Sequence, residues 1–181
     1  MSFTLGCLVL DTKPDNELRF ELMLETLTNI PLFQNLDPSQ IKLLDPFFER
    51  FTCAPDTIIF EQGDRPQYLY ILLKGTVTIR YKPYDGPPIT LTRLHKGDAF
   101  GWSAAVGSKY YTSSCLSASY VEAMRIQGTD LWKLVRNHPD TGKIILDRLA
   151  NFVSPRWKDA QAEVQALFNK ELEQSKKKGD E

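Results

Sequence analysis

The sequence predicts a mainly β fold: an antiparallel jelly roll (double-stranded β-helix) with N-terminal helices before it and a long C-terminal helix after it. Three observations carry that expectation. Residues 51–127 form a series of short runs rich in β-branched and aromatic residues, separated by Gly, Pro and Asp turn signals. Residues 15–50, and those after 128, repeat their apolar side chains at helical spacing instead. Six to eight short strands at this interval indicate an antiparallel sandwich or jelly roll rather than a parallel sheet.

Each element follows from local chemistry. Residues 16–28 place Leu18, Phe20, Leu22, Leu24 and Leu27 at helical intervals, and Pro31 ends that helix. In "LDPSQIKLL", Asp37 reads as an N-cap, Pro38 sits in the first turn and Gln40 closes a capping box. Pro46 has no backbone N–H to donate, so this second helix kinks or restarts at Asp45. The strand region runs through "TIIFEQGD", "YLYILLKG", "TVTIRY", "ITLTRLHKGD", "TSSCLSASY" and "VEAMRI", with Asp85-Gly86 as a hairpin tip. Thr129 is positioned to cap "DLWKLVRN". Pro139 then opens a helix carrying Ile145, Leu149 and Phe152 on one face, and Ser154-Pro155 interrupts it. The final helix sets Trp157, Ala160, Val164 and Leu167 in a narrow seam like that of a coiled coil, and the tail "SKKKGDE" is charged. Whether residues 139–175 form one kinked helix or two is open at this stage.

Composition excludes several functions. With 22 basic and 23 acidic residues the net charge is −1, so no basic field draws the chain to nucleic acid or an anionic membrane. The N-terminal run "FTLGCLVL" has no basic region before it and is too short to span a bilayer, so a cytoplasmic location is expected. Cys7, Cys53 and Cys115 are far apart and odd in number, which predicts reduced, mostly packed thiols, with Cys7 the most exposed. His95 and His138 are the only histidines and lie in separate turns, too few for a three-histidine metal site. No nucleophile–base set stands out, and Asp98 reads as a turn cap. No enzyme activity, metal or cofactor is expected.

One resemblance emerges from these motifs. "IPLFQNLDPSQIKLL", "IIFEQGDRPQYLYILLKGTVTI" and "LHKGDAFG" are similar, in spacing and residue type, to the cyclic-nucleotide-binding domain of Crp/Fnr regulators, nucleotide-gated channels and kinases. The resemblance covers about residues 28–154. It divides the chain into an N-terminal extension (1–27), a cyclic-nucleotide-binding-like domain (28–153) and a C-terminal helix with its tail (154–181). The family's phosphate-binding cassette runs Phe-Gly-Glu, a short helix, then Arg-Ala. The resemblance implies that its glutamate holds the ribose hydroxyl and its arginine the cyclic phosphate. Laid on that pattern without a gap, Phe100, Gly101 and Ala104 match. Trp102 takes the glutamate's place beside Ser103, Tyr111 takes the arginine's, and Thr112 and Ser113 follow it.

Those two departures remove charge. Trp102 donates one N–H and cannot accept from a hydroxyl, and Tyr111 offers a neutral hydrogen bond where a bidentate cation is expected. A desolvated phosphate without its guanidinium loses about 2–5 kcal/mol. That corresponds to roughly 30- to 1,000-fold or more in affinity. Lys109 and Arg148 are the candidate substitutes, and the amides of the helix after Gly101 could also face an anion. The preferred reading is a pocket filled or repurposed by Trp102 and Tyr111, with the two rings packing on each other. High-affinity binding of cAMP or cGMP, or a less charged or aromatic ligand stacked on Trp102, are the alternatives. The winged helix that follows the long helix in Crp/Fnr regulators has no counterpart in this sequence. The expected function is an interaction, dimerisation or regulatory module, as a homodimer or with a protein partner through Trp157, Ala160, Val164 and Leu167. The alternative is a sensor of a cyclic nucleotide or other small molecule that signals through the C-terminal helix.

Overall fold

The computed structural model describes residues 7–9, 27 and 30–151 of the chain. Its strands are β1 (Cys7–Val9), β2 (Phe48–Cys53), β3 (Ile58–Phe60), β4 (Tyr68–Lys74), β5 (Val77–Tyr81), β6 (Ile89–Leu94), β7 (Ala99–Phe100), β8 (Ser114–Ser117) and β9 (Val121–Gln127). The helices are α1 (Pro38–Leu44), α2 (Trp102–Ala105), α3 (Gly128–Asn137) and the helical residues 139–151, designated α4. The strands form two antiparallel sheets, ordered β1-β2-β9-β4-β7 and β3-β8-β5-β6. The expected jelly roll with flanking helices is therefore present. The strands beyond the expected number include the three-residue β1 and the two-residue β7, both too short to show a period.

Helix α1 starts as its sequence dictates. The Asp37 carboxylate accepts from the Gln40 amide at 2.9 Å, and the Gln40 side chain accepts from the Asp37 amide at 3.1 Å. The Ser39 hydroxyl also donates to Asp37, and these bonds hold its carboxyl below the usual range. The helix yields to a 3₁₀ turn at Asp45–Phe47, where Pro46 removes a donor. Helix α3 departs from expectation: it begins at Gly128, one residue before the predicted cap Thr129, and its N-cap Gln127 supplies no side-chain bond. Strand β9 runs straight into it, with the Gly128 amide bonded to the Gln67 carbonyl at 3.0 Å.

Strand β4 shows why the fold has two cores. Its alternate residues Tyr70 and Leu72 face the space between the sheets, with Phe51, Phe60, Val77, Leu94, Phe100, Cys115 and Val121. Leu69 and Ile71 face the helices, joining Ile41, Leu44, Met124, Ile126, Leu131, Leu134, Ile145 and Leu149. A strand covered on both sides has no polar face, which explains the unbroken run "YLYILL". Ile145 and Leu149 lie buried on one face of α4 as predicted, whereas Phe152 lies outside the described residues.

The cysteines require a correction. Cys7 and Cys53 are not free thiols but stand opposite one another in the β1–β2 register and are joined as a disulfide. Sequence spacing hides this because register is set by the whole sheet. Cys115 is free and buried, as expected, and burial pushes its thiol pKa up.

Candidate functional site

The site is built around the turn that leaves β7. Phe100 points into the sandwich, stacked on Tyr70 with ring centroids 4.8 Å apart. Gly101 then takes φ +81°, and a Cβ there would stand 2.5 Å from the Tyr68 carbonyl oxygen, so glycine is required twice over. Past this left-handed turn the short helix α2 begins, with Ser103 and Ala104 buried. Trp102 is half-buried and packs against the cluster on the helix side of the sheet.

Tyr111 lies on the opposite side, inside the sandwich, 5 % exposed. Its ring stacks on Phe60, centroids 3.9 Å apart and planes within 14°. Its hydroxyl donates to the Tyr68 carbonyl at 3.0 Å and accepts from the Gln67 and Tyr68 amides, each at 3.3 Å. Its own amide donates to Asp64 at 2.9 Å, and its carbonyl accepts from Gly63 at 2.9 Å. Burial raises the Tyr111 phenol pKa, against the opposing pull of the Tyr68 and Gln67 amides. Thr112 is exposed and Ser113 half-buried.

The expected stacking of Trp102 on Tyr111 is thus corrected: the two rings belong to different clusters, one on each side of the sheet. The left-handed turn at Gly101 breaks the strand's alternation, so side-chain direction cannot be carried across it. Both candidate substitute cations are engaged elsewhere. Lys109 is exposed, with its ammonium 5.2 Å from the Tyr110 ring, and Arg148 donates to the Leu32 carbonyl at 3.0 Å. The seam Trp157, Ala160, Val164 and Leu167 lies outside the described residues. His95 is exposed, and its amide donates to the Asp98 carboxylate at 2.8 Å, the turn cap anticipated for Asp98.

Sequence reading missed Arg125. Its guanidinium sits 3.9 Å over the Tyr68 ring and 5.5 Å from that of Phe51, and is 13 % exposed. It bonds Glu49 through Nε at 3.0 Å and through its terminal nitrogen at 2.9 Å. A signal was available, since Val121, Ala123 and Arg125 alternate along β9 and share the inward face. Burial pushes the phenol of Tyr70 far up, partly opposed by neighbouring Arg125.

The cassette also meets the following helix directly. The backbone of Ala104 lies so close to Gly128 that a Cβ there would stand 2.9 Å from the Ala104 carbonyl carbon. The indole N–H of Trp132 donates to the Ala105 carbonyl at 3.0 Å. Beside these contacts Val106, Tyr110 and Trp132 are exposed.

A jelly roll bracketed by helices, with a glycine-turned short helix between β7 and β8, defines the class of cyclic nucleotide-binding folds. Residues 50–138 match the family model of the cyclic nucleotide-binding domain, and this part of the chain belongs to that family. The chain is 27 % identical over 137 residues to the cyclic AMP receptor protein of Thermus thermophilus, covering 76 % of this chain and 62 % of that relative. A cyclic nucleotide-gated channel of Caenorhabditis elegans shares 27 % over 144 residues, 76 % of this chain but 19 % of the channel. The chain therefore spans less than two thirds of either relative. A cyclic nucleotide-binding domain from Methylobacillus flagellatus superposes with TM-score 0.73 at 19 % identity, covering 89 % of both chains. A regulatory subunit of a cAMP-independent protein kinase A from Trypanosoma brucei, in a triple mutant bound to cAMP, gives TM-score 0.67 at 21 %, covering 82 % of this chain and 52 % of that one. Among the described residues no helix is long and apolar enough to cross a membrane, and no cluster of His, Cys, Asp or Glu could hold a metal ion.

Proposed function

We propose that this chain is a non-catalytic regulatory and interaction module of the cyclic nucleotide-binding fold that does not bind cAMP or cGMP with high affinity. The observation that carries this reading is Tyr111. It occupies the position of the family's phosphate-binding arginine, and its hydroxyl is spent on the backbone of β4 rather than left for a ligand. Neither Lys109 nor Arg148 brings a cation to replace the missing one. In this reading residues 28–153 are the folded body. Residues 154–181 carry the contact to a second copy or a protein partner through Trp157, Ala160, Val164 and Leu167. The direct packing of α2 on α3 supports a route from the cassette toward that segment.

A second reading keeps the site as a sensor. The neutral residue at Tyr111 favours an uncharged aromatic ligand over a cyclic phosphate, since neither Lys109 nor Arg148 is placed to compensate an anion. In the Trypanosoma brucei neighbour one of the three substitutions introduces an arginine, and that mutant is the form bound to cAMP. Placing an arginine at position 111 of this chain is a direct test.

The experiment is calorimetric titration of the full chain with cAMP, cGMP and guanosine, beside Tyr111→Arg and Tyr111→Arg/Trp102→Glu. The wild type is expected to give no heat with either cyclic nucleotide, and a variant that stays folded is expected to bind cAMP in the micromolar range. Micromolar or tighter cAMP binding by the wild type overturns the module reading. Saturable guanosine binding by the wild type moves the assignment to the sensor.

A further inference from the structure

We infer that Cys7 and Cys53 form a reversible thiol–disulfide latch that decides whether strand β1 occupies the edge of β2. Among the described residues, strand β1 is three residues long, lies at the end of its sheet and pairs with β2 alone. The Cα atoms of Cys7 and Cys53 are 4.1 Å apart, the close approach of a non-hydrogen-bonded antiparallel pair. The hydrogen-bonded pair between the strands is then Leu8–Thr52. So short a ladder holds weakly by itself, and the covalent bond sets whether β1 stays.

The surroundings suit both redox states. Cys7 is only half-buried and its neighbour Leu8 is 66 % exposed, so a small thiol can reach the bond from the Cys7 side. Cys53 is 1 % exposed, yet its sulfur lies 3.9 Å from the Ser117 hydroxyl oxygen. That oxygen donates to the Ala54 carbonyl at 2.6 Å and accepts from the Thr57 amide at 2.9 Å, which leaves it able to accept from a Cys53 thiol. Reduction therefore strands no buried donor. The third thiol, Cys115, is fully buried and takes no part.

The exchange partner is a low-molecular-weight thiol and its disulfide. A thiolate attacks Cys7 Sγ, forming a mixed disulfide and releasing the Cys53 thiolate, which takes up a proton. A second thiolate attacks the small-molecule sulfur, releasing the Cys7 thiolate and the small disulfide. The protein disulfide and two small thiols thus become two protein thiols and one small disulfide. With β1 released, β2 becomes the edge strand among the described residues, with unpaired backbone groups.

The test equilibrates the full chain with reduced and oxidised glutathione at graded ratios, without denaturant. Alkylation with mass spectrometry counts free thiols, and hydrogen exchange follows the Thr52 amide. Two thiols are expected to appear together on reduction, with Thr52 exchange rising at least tenfold while Leu69 and Ile126 stay protected. Cys7→Ser should hold the fast Thr52 exchange under all conditions, and Cys115→Ala should leave the switch intact. If Cys7→Ser does not fold, the wild-type comparison stands alone. Equal Thr52 exchange in both states, or a bond that glutathione reduces only in denaturant, overturns the latch.

Discussion

Removing one oxygen from Tyr111 separates a structural tie from a ligand-facing group. In Tyr111→Phe the ring keeps its place on Phe60, 3.9 Å away, because the volume barely changes. What disappears is the bond to the Tyr68 carbonyl at 3.0 Å and the longer contacts from two amides at 3.3 Å. Tyr111 is 5 % exposed, so the groups left behind have little water to turn to. Leaving buried polar groups unmatched costs about 1–3 kcal/mol. For a chain of this size each kcal/mol shifts Tm by about 2–4 °C, so a drop of about 2–12 °C is expected. Thermal unfolding followed by circular dichroism at pH 7 reads it. A hydroxyl that mainly served a ligand would leave Tm of the ligand-free protein unchanged on removal, and that result would refute the structural role assigned here.

Two further outcomes follow from the same geometry. Gly101→Ala forces a left-handed φ on a residue with a Cβ and presses that carbon against the Tyr68 carbonyl. The conformational cost alone is about 1–2 kcal/mol, so urea unfolding should show a loss of at least about 2 kcal/mol; a loss below 0.5 would count against the close approach. Alkaline pH should destabilise the fold. Cys115, Tyr70 and Tyr111 all have folded pKa values raised above their ordinary 9.0, 10.0 and 10.0, with burial the largest cause. Groups of this kind add stability that is complete below the unfolded value and lost as pH climbs toward the folded one. Tm should therefore hold through neutral pH and fall from about pH 9 upward. Cys115→Ala should flatten the first part of that fall, and an unaltered profile in this variant would sink the assignment to Cys115.

Local chemistry was the most legible part of the sequence. The capping box at Asp37 and Gln40, the break at Pro46 and the turn at Asp98 are decided within a few residues, and the structure repeats them. The glycine turn at Gly101 was legible too, whereas the register that sets Tyr111 on the family's arginine rests on the resemblance alone. What the sequence could not show depends on direction or on distant partners. Trp102 and Tyr111 occupy opposite sides of the sheet because the chain reverses its handedness at Gly101. Cys7 meets Cys53 across 46 residues, a pairing that no spacing rule reports. Arg125 was overlooked for a different reason, since an inward-facing charge contradicts the rule that interiors are apolar until Glu49 and the Tyr68 ring are known to receive it.

The meeting of Ala104 with Gly128 sets a limit on how this domain can diversify. No side chain stands between the cassette and the first residue of α3; the separation there is main chain against main chain. Substitutions lining the sandwich leave this main-chain contact untouched. A descendant of this chain could exchange Tyr111 for another side chain and keep that contact unchanged, whereas any side chain at position 128 would force α2 and α3 apart.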